Sequence, residues 1–251
     1  MEREQKMKID ILEIPVDDFS IGQAVGKLQQ YIEEGSPRLI VTANPEIIML
    51  AREDEEYREV LSGADMITAD GIGIVVASRL LGQPIRERVT GIDLSRRLFG
   101  LAAQRGYRVY LLGARAGVAE TAARNLAGEF PGMHLVGYHD GYFTEDGPVL
   151  AEIKGAKPDI LLVALGMGKQ EKWIWRHKSD LRVPVSIGVG GSLDVYAGLV
   201  PRAPRWMQRT GLEWLYRLLR QPSRIGRMLV LPYFLLLVAA EAMKQKLPKK
   251  K

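Results

Sequence analysis

Residues Ile67 to Val75 read ITADGIGIV. A short apolar run ends in Thr68, Ala69 and Asp70, glycines follow at Gly71 and Gly73, and a helical pattern then begins. The segment hands a strand over to a helix with a carboxylate at the joint. Where such handovers recur along a chain, the strands line up in parallel and helices cover both faces of the sheet. Ligands then gather at the carboxyl ends of the strands. Asp70 has two readings at this point. Asp is a favoured helix N-cap, and a carboxylate on a loop held by a rigid sheet is also well placed for chemistry.

The handover does recur. Lys8 to Ile14 alternates polar and apolar residues and reads as a first strand, and Ile21 to Ile32 has helical spacing and stops at Gly35. Arg38 to Val41 is a strand running into TANPE (42–46), where Pro45 suits the first turn of a helix. Thr42 and Asn44 lie at that strand end, and Asn44 either caps the helix or faces a ligand. Glu46 to Leu61 reads as one or two helices. Gly73 to Leu81 reads as another, closed by Gly82 and Pro84, and Thr90 can cap a helix from Ile92 to about Gln104. Arg108 to Leu112 is a buried strand leading through a glycine turn at Gly113 into an Ala-rich helix. That unit presents helix N-terminal amides to an anion, but without the full GxGxxG spacing of a dinucleotide site.

His134 to Tyr138 reads as a strand and Val149 to Lys154 as a short helix. Asp159 to Leu165 is the most strand-like run in the chain and ends in GMGKQEKWIWRH. Its glycines and Lys169 have the wrong spacing for a nucleotide-triphosphate loop, and no Ser or Thr follows the lysine to hold magnesium. Gln170 falls in the first helical turn, at the same sheet edge as Asp70. Val183 to Val189 is a further strand. Gly190 and Gly191 after it allow a ligand to approach the backbone, and Asp194 either accepts from a ribose or base or caps a turn. The expected fold is α/β, a mostly parallel sheet with helices on both faces, over residues 1–200.

Composition narrows the chemistry. The 251-residue chain has no cysteine, which excludes disulfides, thiolate metal sites and cysteine nucleophiles. His134, His139 and His177 are scattered, and the polar N-terminus lacks the apolar stretch of a secretory signal. The net charge of +5 hides an asymmetry: residues 201–251 hold twelve Lys or Arg against Glu213 and Glu241, so the body before them is acidic. Seven arginines from Arg202 to Arg227 alternate with Trp206, Trp214 and Tyr216, and an apolar run from Met228 to Ala240 follows, interrupted by Pro232 and followed by five lysines. A spanning helix needs roughly 20 apolar residues, so this run suits a membrane interface; a core or dimer helix is the alternative. Basic residues interleaved with aromatics also occur on single-stranded nucleic-acid binders, but the acidic body and the apolar run argue against nucleic acid. The tail is expected to form a helical, basic and apolar appendage over residues 201–251.

Five segments together carry a resemblance: TANPE (42–46), ADGIG (69–73), GMGKQE (166–171), GVGG with the following Asp194 (188–194) and RAPRWMQRTGLEWLYRLLRQPSR (202–224). In this order they resemble the WecG/TagA/CpsF glycosyltransferases, over roughly residues 8–230. The resemblance implies a Rossmann-like sheet, a UDP-sugar donor and a polyprenyl-diphosphate-linked GlcNAc acceptor. It implies work on the cytoplasmic face of the cell membrane, in wall teichoic acid or related polysaccharide synthesis. TagA-like members move N-acetylmannosamine to the C4 hydroxyl with inversion; UDP-glucose and the uronic acid of UDP-N-acetylmannosamine are the alternative donors. Carried over, Asp70 is the general base, Thr42 and Gln170 line the sugar pocket, and Arg217, Arg224 and Arg227 meet the diphosphate, with Arg88 a further candidate. Asn44, Gly113, Gly190, Gly191 and Asp194 fall to the nucleotide sugar.

The residues agree with that chemistry. An inverting transfer needs one base for the acceptor hydroxyl, not the carboxylate pair of a hydrolase. The leaving diphosphate needs cations or preorganised donors. No Asp-x-Asp pair is present to hold a metal, whereas arginine forks match phosphate oxygens; metal-independent catalysis without a cofactor is therefore expected. Two other classes remain: a UDP-sugar-binding membrane-surface protein without turnover, and an NAD(P)-dependent sugar-nucleotide enzyme, disfavoured by the missing fingerprint and the lack of a Tyr-x-x-x-Lys pair. A homo-oligomer is left open.

Overall fold

A computed structural model describes residues 8–222 and 225–246 of the chain. Its strands are β1 (Lys8–Ile11), β2 (Ile14–Asp17), β3 (Arg38–Ala43), β4 (Met66–Ala69), β5 (Arg108–Gly113), β6 (His134–His139), β7 (Ile160–Ala164) and β8 (Val185–Gly188). The helices before residue 200 are α1 (Ile21–Glu34), α2 (Pro45–Glu53), α3 (Glu55–Ser62), α4 (Ile72–Leu80), α5 (Gly91–Arg105), α6 (Val118–Glu129), α7 (Asp146–Ala156), α8 (Lys169–Leu181) and α9 (Ser192–Tyr196). After it come α10 (Arg205–Thr210), α11 (Glu213–Arg220), α12 (Ile225–Met228) and α13 (Val230–Lys246).

Six strands form one sheet in the order β4-β3-β8-β7-β5-β6, and every neighbouring pair is parallel. Both faces are covered, which is why the central strands read as unbroken apolar runs. Along β7, Leu161 and Val163 enter one core while Ile160, Leu162 and Ala164 enter the other. The second core also takes Leu28 of α1, Leu98 of α5, Ala122 of α6 and Leu193 of α9. The first takes Ile48 of α2, Tyr57 of α3, Ile74 of α4, Ile153 of α7 and Ile174 of α8. The result is an α/β/α sandwich, as the sequence pattern anticipates.

The first strand differs from the expectation. Lys8 to Ile14 is not one strand of the main sheet: β1 and β2 form a separate antiparallel hairpin. Its turn places Leu12 and Glu13 at φ 52° and 73°, the left-handed pair of a tight hairpin turn that Gly or Asn normally supplies. The hairpin earns its position at the sheet edge, where Asp17 accepts from Ile67 N of β4 at 2.7 Å.

The C-terminal segment returns to the body. Phe234 and Val238 of α13 are fully buried and Ala242 nearly so, four residues apart and hence on one helix face. That face packs against α2 and α4. Leu229, just before α13, and Tyr233, Leu236 and Met243 within it are exposed. The apolar run therefore serves as a core helix on one side and an uncovered apolar surface on the other. Among the described residues no helix is long and apolar enough to cross a membrane.

Candidate functional site

A cavity of about 240 Å³ opens where β3, β4 and β8 end. Thr42, Asp70, Gln170 and Gly190 line it from the sheet side, and Glu213, Trp214, Arg217 and Leu231 from the C-terminal helices. A wider groove of about 1110 Å³ adjoins it over the ends of β5 and β7, sharing Asn44, Gly190, Gly191 and Arg217.

Asp70 does not cap the helix it precedes: the N-cap of α4 is Gly71, without a side-chain bond. Instead Asp70 Oδ2 accepts from Gly91 N at 3.1 Å, the first residue of α5. A carboxylate at a helix N-terminus is held by the positive end of the helix dipole. Its backbone is fixed as well, since Asp70 N donates to Ala43 O at 2.8 Å. Burial pushes the Asp70 carboxyl above the usual carboxylate range, opposed by the Gly91 N–H and by the Arg217 and Arg88 charges. A raised pKa makes the carboxylate a better proton acceptor.

Thr42 is buried beside it. α5 can start this close only because residue 91 is glycine: a Cβ there would sit 2.9 Å from Thr42 Oγ1. Asn44 caps α2 through Ile47 N at 3.0 Å while lining both cavities, so its two readings coincide. Gln170 is buried, and its Oε1 accepts from Gly190 N at 3.1 Å, which fixes the loop after β8. Gly191 then caps α9.

The arginines divide. Arg88 lines the cavity, and its arm is pinned to β4: Val89 N donates to Ala69 O at 2.9 Å and Thr68 Oγ1 to Val89 O at 3.1 Å. Its Nη2 donates to Gln208 O at 2.8 Å and to Glu213 Oε2 at 3.1 Å. Arg217 is exposed on α11 and lines both cavity and groove. Arg227 lies on α12, and Arg224 falls outside the described residues.

Asp194 lines the groove rather than the cavity. Gly113 lines neither. It ends β5 at φ 122°, and a Cβ there would lie 2.4 Å from Ala164 O, so its glycine serves the packing of β5 on β7. The turn after it places Ala114 and Arg115 at the groove instead. With Lys169, Arg176, Arg217 and Arg220, Arg115 gives the groove a basic lining suited to a nucleoside diphosphate. Among the described residues no group of three His, Asp or Glu side chains is placed to hold a metal ion.

Sequence reasoning missed the carboxylates that organise these groups. Glu213 bridges Arg88 and Arg202, and Arg202 grips Asp93 through two contacts of 2.7 and 2.8 Å. Burial works against ionised Asp93, yet the bonds from Arg202 and Thr90 hold its carboxyl below the usual range. The signal was present, since Glu213 is the one acid within the arginine-rich run from 202 to 227. Glu171 is fully buried and bonded to Tyr57, Gly168 and Gln170. Burial pushes its carboxyl up, and those donors oppose the shift.

A sequence profile described as the glycosyl transferase WecG/TagA/CpsF family matches residues 9–248. A Bacillus subtilis (strain 168) protein is 38% identical over 234 residues, 93% of this chain and 91% of its own length. A Bacillus spizizenii protein is 41% identical over 204 residues, 81% and 79% of the two chains, and a Staphylococcus aureus (strain MW2) protein 38% over 240 residues, 95% and 94%. All three are named N-acetylglucosaminyldiphosphoundecaprenol N-acetyl-beta-D-mannosaminyltransferase. With a match over nearly its whole length, the chain belongs to the WecG/TagA/CpsF family of glycosyltransferases.

Proposed function

We propose that this protein transfers N-acetylmannosamine from UDP-N-acetylmannosamine to the C4 hydroxyl of GlcNAc on a polyprenyl diphosphate, with inversion. The observation that carries the reading is Asp70: a carboxylate with a raised pKa, held by one oxygen at a helix N-terminus, in a cavity rimmed by Arg88 and Arg217. The names of the relatives supply the donor sugar and the lipid-linked acceptor.

In this reading Asp70 takes the proton of the acceptor hydroxyl as its oxygen attacks the anomeric carbon from the face opposite the leaving group. The new C–O bond forms as the bond to the β-phosphate breaks, and UDP departs carrying the charge. Arg88 and Arg217 meet that charge, with Arg224 and Arg227 further along the same segment; no metal takes part. Thr42 and Gln170 orient the sugar. Asn44, Gly190 and Gly191 border the nucleotide sugar from the rim shared with the groove, and Asp194 from the groove itself.

The segment after residue 200 acts as an appendage that brings the acceptor from the inner face of the cell membrane. Exposed Trp206, Leu219, Ile225, Leu229, Tyr233 and Leu236 support an interfacial position, with the surrounding arginines facing anionic headgroups.

The test is a donor screen with a short-chain prenyl-diphosphate-GlcNAc, with and without EDTA. Turnover with UDP-N-acetylmannosamine that survives EDTA is expected. Turnover with UDP-glucose or the uronic acid alone corrects the donor, and loss in EDTA overturns metal-free catalysis. Binding of UDP without turnover of any donor would favour the non-catalytic reading.

A further inference from the structure

Gln170 and Glu171 are adjacent at the start of α8, and both are buried although both are polar. Glu171 Oε2 accepts from Gly168 N at 2.9 Å and from Tyr57 OH at 3.1 Å. Its Oε1 accepts from Gln170 Nε2 at 2.6 Å, and Gln170 Oε1 accepts from Gly190 N at 3.1 Å. These bonds join the loop after β7 to the loop after β8. Both ends of the chain are backbone N–H groups, which only donate.

That constraint fixes the chemistry between them. An amide transmits a hydrogen bond in one direction, accepting on its oxygen and donating from its nitrogen. Two amides in series would therefore bring an NH2 against one of the terminal N–H groups. A carboxylate only accepts, so it reverses the direction once. The chain closes with one carboxylate and one amide, and with the carboxylate at 171 the amide of Gln170 has a single orientation. Its oxygen faces Gly190, one N–H goes to Glu171, and among the described residues the second N–H has no protein partner. Gln170 lines the cavity, and glycine at 188 keeps the space above the amide open: a Cβ there would lie 2.7 Å from Gln170 Nε2.

We propose that Glu171 is a positioning residue that locks the Gln170 amide so that its free N–H donates to an oxygen of the sugar bound in the cavity. Glu171 touches no substrate; it acts through Gln170. The proposal rests on the transferase reading for the identity of the sugar, but the hydrogen-bond polarity stands apart from it.

The polarity argument makes a swap informative. In the double variant Gln170→Glu/Glu171→Gln, Gly168 donates to the new amide, that amide donates to the new carboxylate, and the carboxylate accepts from Gly190. Every bond of the chain is remade, but the donor aimed at the sugar is gone. Each single substitution leaves two donors or two carboxylates face to face.

Wild type, Glu171→Gln, Gln170→Glu and the double variant are compared by thermal unfolding, by kcat and KM, and by calorimetric binding of the UDP-sugar. Each single variant is expected to lose roughly 4–8 °C in Tm. The double variant should return to within about 2 °C of wild type while kcat stays at least about tenfold down, the loss of one charge-free donor to the transition state. A Glu171→Gln protein with wild-type Tm and kcat overturns the proposal. So does a double variant as unstable as the singles, or one that recovers kcat together with Tm. If wild type turns over no UDP-sugar, the transferase reading fails; the Tm pattern and the binding difference between wild type and double variant still decide the role of Glu171.

Discussion

Replacing Glu213 with Ala should release the arginine-rich segment from the body without unfolding the sheet. The Glu213 side chain is 12% exposed and contacts Arg88 at 3.1 Å and Arg202 at 3.5 Å, themselves 18% and 21% exposed. Asp93 compensates Arg202, so removing Glu213 leaves Arg88, among the described residues, with the Gln208 carbonyl as its hydrogen-bond acceptor. The gross attraction of two such contacts is several kcal/mol at the effective dielectric of partly buried sites. Most of it is offset by the solvation that the carboxylate gave up on burial. A net loss of about 2–3 kcal/mol remains, the range for leaving a partly buried charge without its partner. Because Glu213 lies after residue 200 and Arg88 before it, the loss falls on docking rather than on the sheet. Docking should weaken about 30- to 150-fold. Native-state hydrogen exchange reads this directly: amides of α10 and α11 should exchange faster by that factor while those of β7 keep their protection. A change below about threefold in α10 and α11, or an equal acceleration in β7, would refute the reasoning.

Asp70→Asn should lower kcat by about a hundred- to ten-thousand-fold while UDP affinity stays within about twofold; retained turnover would remove Asp70 as the base. Its raised pKa means that the folded state holds the proton more tightly than the unfolded chain, so Asp70 costs stability as pH rises from the unfolded value through the folded one. Asp70→Asn should therefore unfold at neutral pH no more readily than wild type, and the acid limb of the wild-type rate profile should lie above the ordinary Asp range. Gly113→Ala combines a φ of 122° with a Cβ 2.4–2.8 Å from the Ala164 backbone, for an expected loss of about 3 kcal/mol or more in urea unfolding; an unchanged midpoint would contradict the packing role. Phe234→Ala empties a fully buried site worth about 3–5 kcal/mol and should first show as protease cleavage near α13 ahead of global unfolding.

Much of this architecture is legible in the residues. Runs such as Asp159 to Leu165 announce buried parallel strands, and cap chemistry at Asn44 and Thr90 marks helix starts that the structure keeps. The sheet edge holding Thr42, Asp70, Gln170 and Gly190 follows from the strand-to-helix handovers alone. The β1–β2 turn was illegible because Leu12 and Glu13 adopt a conformation their residue types disfavour. Gly113 misleads for the opposite reason: a glycine after a strand looks the same whether it serves a ligand or a neighbouring strand. The Met228 to Ala240 run could not be split into a core face and an exposed face without knowing what it packs against. Glu213 and Glu171 escaped because their importance lies in partners more than a hundred residues away, Arg88 and Tyr57.

The position of β8 also shapes how the chain must assemble. It is the last strand in sequence, yet it sits between β3 and β7, with Arg38 opposite Val185 and Ile160 opposite the same residue on its other side. Before β8 is synthesised, β3–β4 and β7–β5–β6 are two half-sheets with bare inner edges, the kind of surface that pairs with other chains. The seam that joins them closes across a long loop and sets a slow step in folding. Gly188 and Thr42 flank that seam at the cavity floor. A nascent or truncated chain lacking β8 keeps Thr42 and Asp70 on one half-sheet but lacks the Gly188–Gly191 wall of the cavity, and quality control will meet it as two sticky fragments rather than as a weak enzyme.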